Sequence, residues 1–245
     1  MLSQNNSLFL RLLLTLWLFS ICALTGEAQK LHPRVKGKPH QIQKVIVLPA
    51  TVSYGRIGVK GAETKETEAT KIEPQLERGV ALEFTRKKMT ILPSPFAEQA
   101  LSEDKNLRTA LADTQEKFDA LLELMSRKQK DVEKGRFSLG DKVLLINPDD
   151  QADAFVFIRA IGLEPTKGMK ALSILSLNPL GLLPVSQVWV ALVDARSGEV
   201  LALKTINGIS NLKKDDERGF EKMFNGSFKS LPDASASAKT AAVKP

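Results

Sequence analysis

Cysteine is nearly absent from this 245-residue chain: Cys22 is the only one, and there are two histidines, one tyrosine and two tryptophans. A single cysteine excludes a disulfide scaffold, and with so few histidines it also excludes the common zinc arrangements. So few tyrosines and tryptophans leave an aromatic-lined sugar cleft or base-stacking platform poorly supplied. No glycine-rich phosphate loop occurs either, because Gly55, Gly58 and Gly61 have neither Rossmann nor Walker spacing. What the chain does have is 43% hydrophobic and 26% charged residues, enough apolar side chains to build a core over most of its length.

The amino terminus reads as an export signal. Residues 8–24 are almost wholly apolar, and Arg11 is the only charge before Glu27. The uninterrupted stretch 12–24 has the length of a signal-peptide core and falls short of the ~20 residues that span a bilayer. Gly26 and Ala28 then place small residues for cleavage before Gln29. An uncleaved anchor is the alternative, and lipidation of Cys22 is disfavoured by the bulky Ile21 before it. Cleavage at this point leaves a thiol-free chain suited to an oxidising compartment such as the periplasm.

Positive charge is concentrated just after that point. Lys30, Arg34, Lys36, Lys38 and Lys44 carry five of the formal net charge of +7, and Pro33, Gly37 and Pro39 rule out a regular helix. The reading is a basic flexible arm over 29–43, which either meets an anionic membrane surface through Arg34, Lys36 and Lys38 or serves as a solvated tether. Nucleic acid is excluded as a partner by the export signal. At the other end, 232–245 is small and polar and is expected to be disordered.

Between these ends the pattern is that of one α/β (α+β) domain over 44–231. Residues 44–48 read as a buried strand stopped by Pro49, and a polar loop follows. Ile72, Leu76, Val80 and Phe84 stripe an amphipathic helix, which Pro74 should start. A short strand at 88–92 precedes a second helix, striped by Leu107, Leu111, Thr114, Phe118, Leu122 and Met125, with Asp104 as N-cap and Gly135 as stop. Residues 142–146 fit strand or helix. Residues 154–161 read as a strand buried on both faces, with Arg159 on the Phe155–Phe157 face needing solvent or a partner. Strands at 187–193 and 199–206 flank a hairpin turn from Asp194 to Gly198. Phe220, Met223, Phe224 and Phe228 stripe a last helix. The order implies a mixed sheet of about five strands with helices packed on it, ending in the hairpin and a C-terminal helix.

Catalytic and metal motifs are sparse. Ser210 and Lys213 match a Ser-x-x-Lys pattern without its companion elements. Asn147, Asp149, Asp150 and Asp153 cluster oxygens as calcium loops do, but lack the central glycine and distal glutamate. A turn explains them better. His32 and His40 sit in the arm with nothing to orient them. No catalytic residue, cofactor or metal is expected. The leucine-rich 169–184, with Leu180, Leu182 and Leu183, is either a buried crossover or an exposed loop for a partner or membrane.

Several local motifs together resemble a known group: a first strand running 44–48 into Pro49, Ala152 and Asp153 opening a middle strand, and a hairpin with Asp194, Ser197, Gly198, Val200 and Leu201. This resembles the bacterial periplasmic proteins and lipoproteins related to the amino-terminal domain of TolB, a group that includes curli-secretion and penicillin-binding-protein-activator lipoproteins. The resemblance implies a non-catalytic exported scaffold of the cell envelope whose partners are other envelope proteins; a second copy of the chain is a further candidate partner. A lipid or lipopolysaccharide carrier and a hydrolase using Asp149, Asp150 or Asp153 are the competing readings.

Overall fold

The computed structural model describes residues 29–36, 42–147, 150–175, 184–208 and 217–234. The expected signal sequence, with Cys22, lies outside them, as do Lys38, Leu180, Leu182, Leu183 and the Ser210–Lys213 motif. The chain folds as a mixed α+β structure on an eight-stranded sheet. Its strands are β1 (Gln29–Leu31), β2 (Lys44–Val47), β3 (Thr51–Gly58), β4 (Gly61–Thr64), β5 (Thr90–Ile91), β6 (Ala154–Pro165), β7 (Val185–Asp194) and β8 (Val200–Gly208). The order is β1-β8-β7-β6-β2-β5, and β3 lies between β6 and β4.

β6 is the organising strand. It pairs antiparallel with β7 along its length and parallel with β2 and then β3 on its other edge. Its alternation builds two cores. Ala154, Val156, Ile158 and Ala160 enter one, while Phe155 and Phe157 enter the other. Each phenylalanine is at most 2% exposed, and burial of such a ring contributes about 1.5–3 kcal/mol. On the first face lie helices α1 (Glu66–Arg86) and α6 (Glu217–Phe224). They cross at Gly79, where a Cβ would lie 2.9 Å from the Phe224 ring. On the second face lies α3 (Lys105–Arg127), whose Phe118 stacks on Phe157 with ring centroids 4.7 Å apart. The short helices α2 (Glu98–Glu103) and α4 (Gln129–Val132) flank α3.

All five expected strands are present, and three more complete the sheet. β3 and β4 replace the expected polar loop: Val52 and Tyr54 alternate inward against α1, and Gly55 lets the two strands approach. Helix α1 starts eight residues before Pro74. Pro74 is exposed, so the carbonyl it leaves unpaired faces water. Asp104 caps α3 as expected, its side chain accepting from the amides of Asn106 and Leu107 at 2.8 and 2.9 Å. Residues 140–146 form neither strand nor α-helix but a 3-10 helix, Gly140–Ile146. Within 169–184, α5 (Lys167–Leu175) is helical, and 176–183 lies outside the described residues.

The basic stretch is not wholly a free arm. Gln29–Leu31 adds an edge strand to β8, and Val35 is 2% exposed in the first core. The apolar Leu31 and Val35, spaced among the charges, explain the anchoring. At the far end, Ala234 is buried and its amide donates to the Lys87 carbonyl at 3.0 Å, so the ordered fold continues past Pro232.

Candidate interaction surface

The second face of the sheet is covered unevenly. Register places Phe155 beside Val193, Phe157 beside Ala191, Arg159 beside Trp189, Ile161 beside Gln187 and Leu163 beside Val185. The first two pairs are sealed under α3 and the 3-10 helix. Beyond Trp189 the cover ends, and Ile161 and Val185 are 37% and 43% exposed. Two hollows of ≈ 350 and ≈ 290 Å³ meet at Ile161. The larger runs over Leu163 and Val185 with amides from Gln187 and Asn207 at its rim. The smaller is walled by Asp119, Leu122 and Glu123 of α3 and backed by Trp189.

Arg159 marks the boundary between covered and open sheet. Its guanidinium lies 3.4 Å from the Asp119 carboxylate and donates to the Ser53 hydroxyl at 3.1 Å. The cation therefore lies along the edge of α3, with its stem on the sheet and its head at the rim. The sequence carried one signal for this surface: a charged residue at an otherwise apolar position of β6. Val185 carried none, since its exposure depends on how far α3 reaches.

Of the residues expected to make contact, Arg34 and Lys36 lie among the described residues. Arg34 is engaged by the hairpin, where it pairs with Glu199 and lies 3.4 Å from Asp194. The hydrogen bond to Glu199 holds its guanidinium protonated more firmly than usual. Lys36 is exposed. Asp194 is a turn residue, accepting from the amides of Arg196 and Ser197 at 3.0 and 2.8 Å. Gly198, at φ 69°, closes that turn against the backbone of Gly140.

His32, expected to be unoriented, is 6% exposed and packs against Gly135. Its Nδ1 accepts from the Arg34 amide at 3.0 Å. Burial lowers its pKa, with Arg34 opposing and Glu199 and Asp194 favouring the charged form. The unfolded chain therefore takes up this proton first. The His32 contribution to stability is intact above the ordinary histidine pKa of about 6.5 and is lost as pH falls through the lower folded value. Urea unfolding from pH 7.5 to 5 is expected to show a steeper loss in the native protein than in His32→Asn, which keeps the acceptor without the titration. Parallel pH profiles would refute it.

Asp150 and Asp153, the two candidate carboxylates among the described residues, are held by different hydrogen-bond partners. Asp150 pairs with Arg196 at 3.0 Å, whereas Asp153 accepts from the amides of Gln43 and Lys44, each at 2.9 Å. Asn147 closes its own loop by donating to the Ala152 carbonyl and accepting from the Ala152 amide. These are turn and strand-entry bonds. Asp149 lies outside the described residues. Among the described residues, no group of three or more His, Cys, Asp or Glu could hold a metal ion, and no helix is long and apolar enough to cross a membrane.

No family model and no curated protein matches the chain. Among solved structures it is similar to the PelC dodecamer from Paraburkholderia phytofirmans, at 12% identity over 84% of this chain and 96% of that one, with a TM-score of 0.38. It is also similar to lipoprotein GNA1162 from Neisseria meningitidis, at 11% identity over 81% and 96%, with a TM-score of 0.35. Likenesses of this size fix neither fold nor function. The resemblance to the TolB group rests on short strand and turn motifs alone.

Proposed function

We propose that this chain is a non-catalytic, exported scaffold of the bacterial cell envelope that supports assembly or transport by holding other envelope proteins. The supporting observation is the open half of the second sheet face, where Ile161, Leu163 and Val185 offer an apolar floor beside the α3 wall. A floor of this kind suits an amphipathic segment of a partner protein, with its apolar side on the sheet. Lys36, Lys38, Leu180, Leu182 and Leu183 belong to this proposal as partner or membrane contacts on the strength of the sequence alone.

The test is site-specific photo-crosslinking in intact cells. A crosslinker at position 185 is expected to give a discrete protein adduct that is lost when Ile161→Asp is added, with the urea midpoint unchanged. A crosslinker at the exposed Lys71 of α1 should give none. Equal labelling from positions 185 and 71, or an Ile161→Asp protein that no longer folds, would refute this placement of the partner.

A further inference from the structure

A second site lies nearer the start of α3, where β2 gives way to β3. The amide of Leu48 still donates to the Val156 carbonyl at 3.0 Å, and pairing with β6 resumes at Thr51. Between them the strand is held by side chains from both helical layers. Glu77 of α1 accepts from the Ala50 amide at 2.8 Å, Glu73 accepts from the Val52 amide, and Gln115 of α3 donates to the Pro49 carbonyl at 3.2 Å. Burial raises the pKa of both glutamates, the bonds to the two amides partly offsetting it.

This break opens into a cleft of ≈ 560 Å³, within the range of small-ligand pockets, roughly 300–1,000 Å³. Its place in the topology is informative. β2 is parallel to both neighbours, and from it the chain crosses first to β5 on one side and only later to β6 on the other. Crevices outside the carboxyl end of such a strand are where open α/β sheets take ligands. Phe96, Leu101 and Leu111 line one side, with Glu73 and Arg108 bringing the charges. Arg108 makes no ion pair or side-chain hydrogen bond with any described residue, although most described arginines are engaged.

The chemistry narrows the ligand. A guanidinium fork matches a planar carboxylate through two parallel hydrogen bonds. A single cation with Glu73 across the cleft disfavours a dianion such as a phosphate monoester. The apolar wall requires an apolar body next to the charged group. We infer that this cleft binds a singly charged carboxylate attached to a compact apolar group, carried by a free organic acid or by the end of a peptide chain. The inference is independent of the proposed partner surface, which lies elsewhere on the second face.

The probes are N-acetyl-leucine, its amide, methyl phosphate, and an octapeptide ending in leucine with a free carboxylate. Each is titrated at up to millimolar concentrations into the purified isotope-labelled protein. N-acetyl-leucine is expected to shift the Thr51 backbone amide and the Gln115 side-chain amide, with the leucinamide and methyl phosphate binding at least about tenfold more weakly. Arg108→Gln, at an exposed position, should cause a similar loss. Glu73→Gln keeps the acceptor for Val52 and should bind more tightly. A peptide that outcompetes N-acetyl-leucine identifies a chain end as the source, and one that does not identifies a free acid. Equal binding of acid and amide, unchanged affinity in Arg108→Gln, or no shift with N-acetyl-leucine would overturn the inference.

Discussion

Phe84→Ala is expected to lower the free energy of unfolding by about 3–5 kcal/mol, the usual cost of emptying a fully buried phenylalanine site. Phe84 has no exposed surface, and its ring centroid lies 4.9 Å from that of Phe228, tilted by 43°. The ring sits near the end of α1, where the segment after α6 closes over the first core. Few neighbours can move into the space, because Val80 and Leu76 are held on the same helix stripe and α6 is fixed by its crossing at Gly79. Phe84→Leu should recover most of the loss. Urea unfolding measures both. A loss under about 1.5 kcal/mol for the alanine variant would mean that the segment after α6 does not pack as described.

Glu83→Ala should be nearly as damaging, at about 2–4 kcal/mol, for a different reason. Glu83 is 2% exposed and accepts from the amides of Gly226 and Phe228 at 3.1 and 3.3 Å, with Arg86 3.8 Å away. Its carboxylate thus satisfies two donors of the turn that ends α6. Removing it strands both amides where water has little access, and unmet donors cost more than the bonds contribute. Glu83→Gln keeps an acceptor and should fall between native and alanine. Native-like stability in the alanine variant would show that water reaches the turn. Paired with Phe84→Ala, the change should be non-additive, since both act on the same junction.

Much of this arrangement could be read from residue order. The alternation along β6 assigns Ala154, Val156, Ile158 and Ala160 to one core and Phe155 and Phe157 to the other, as found, whereas Ile161, assigned with the phenylalanines, is 37% exposed because α3 does not reach it. Asp104 and the Asp194–Gly198 turn were legible because capping and reversal need particular side chains. β3 was missed because Gly55 and Gly58 mask a strand whose only apolar alternation is Val52 and Tyr54. The Tyr54 hydroxyl lies against Glu164, and burial with that carboxylate pushes its pKa up to about 12, a coupling between segments that local pattern cannot carry. Pro74 misplaced a helix start because tolerance of proline depends on which side faces water.

The candidate sites were less legible. Arg159 signalled an open surface, but its extent depends on where α3 stops. The cleft beside Pro49 draws Glu73, Phe96 and Arg108 from separate elements, so no single stretch of sequence contains it.

The pairing of β2 with β6 sets when the molecule can fold. Val45 lies opposite Ala154, so the central parallel ladder closes a loop of about 110 residues before it gains any contact. Topologies of this kind fold slowly, because distant segments must meet before their association is rewarded. A partly synthesised chain holds β2 and α1 without β6, and exposes Leu76, Val80 and Phe84 until α6 arrives near the end. The first core is therefore complete only when β6, β7, β8 and α6 have all joined β2 and α1.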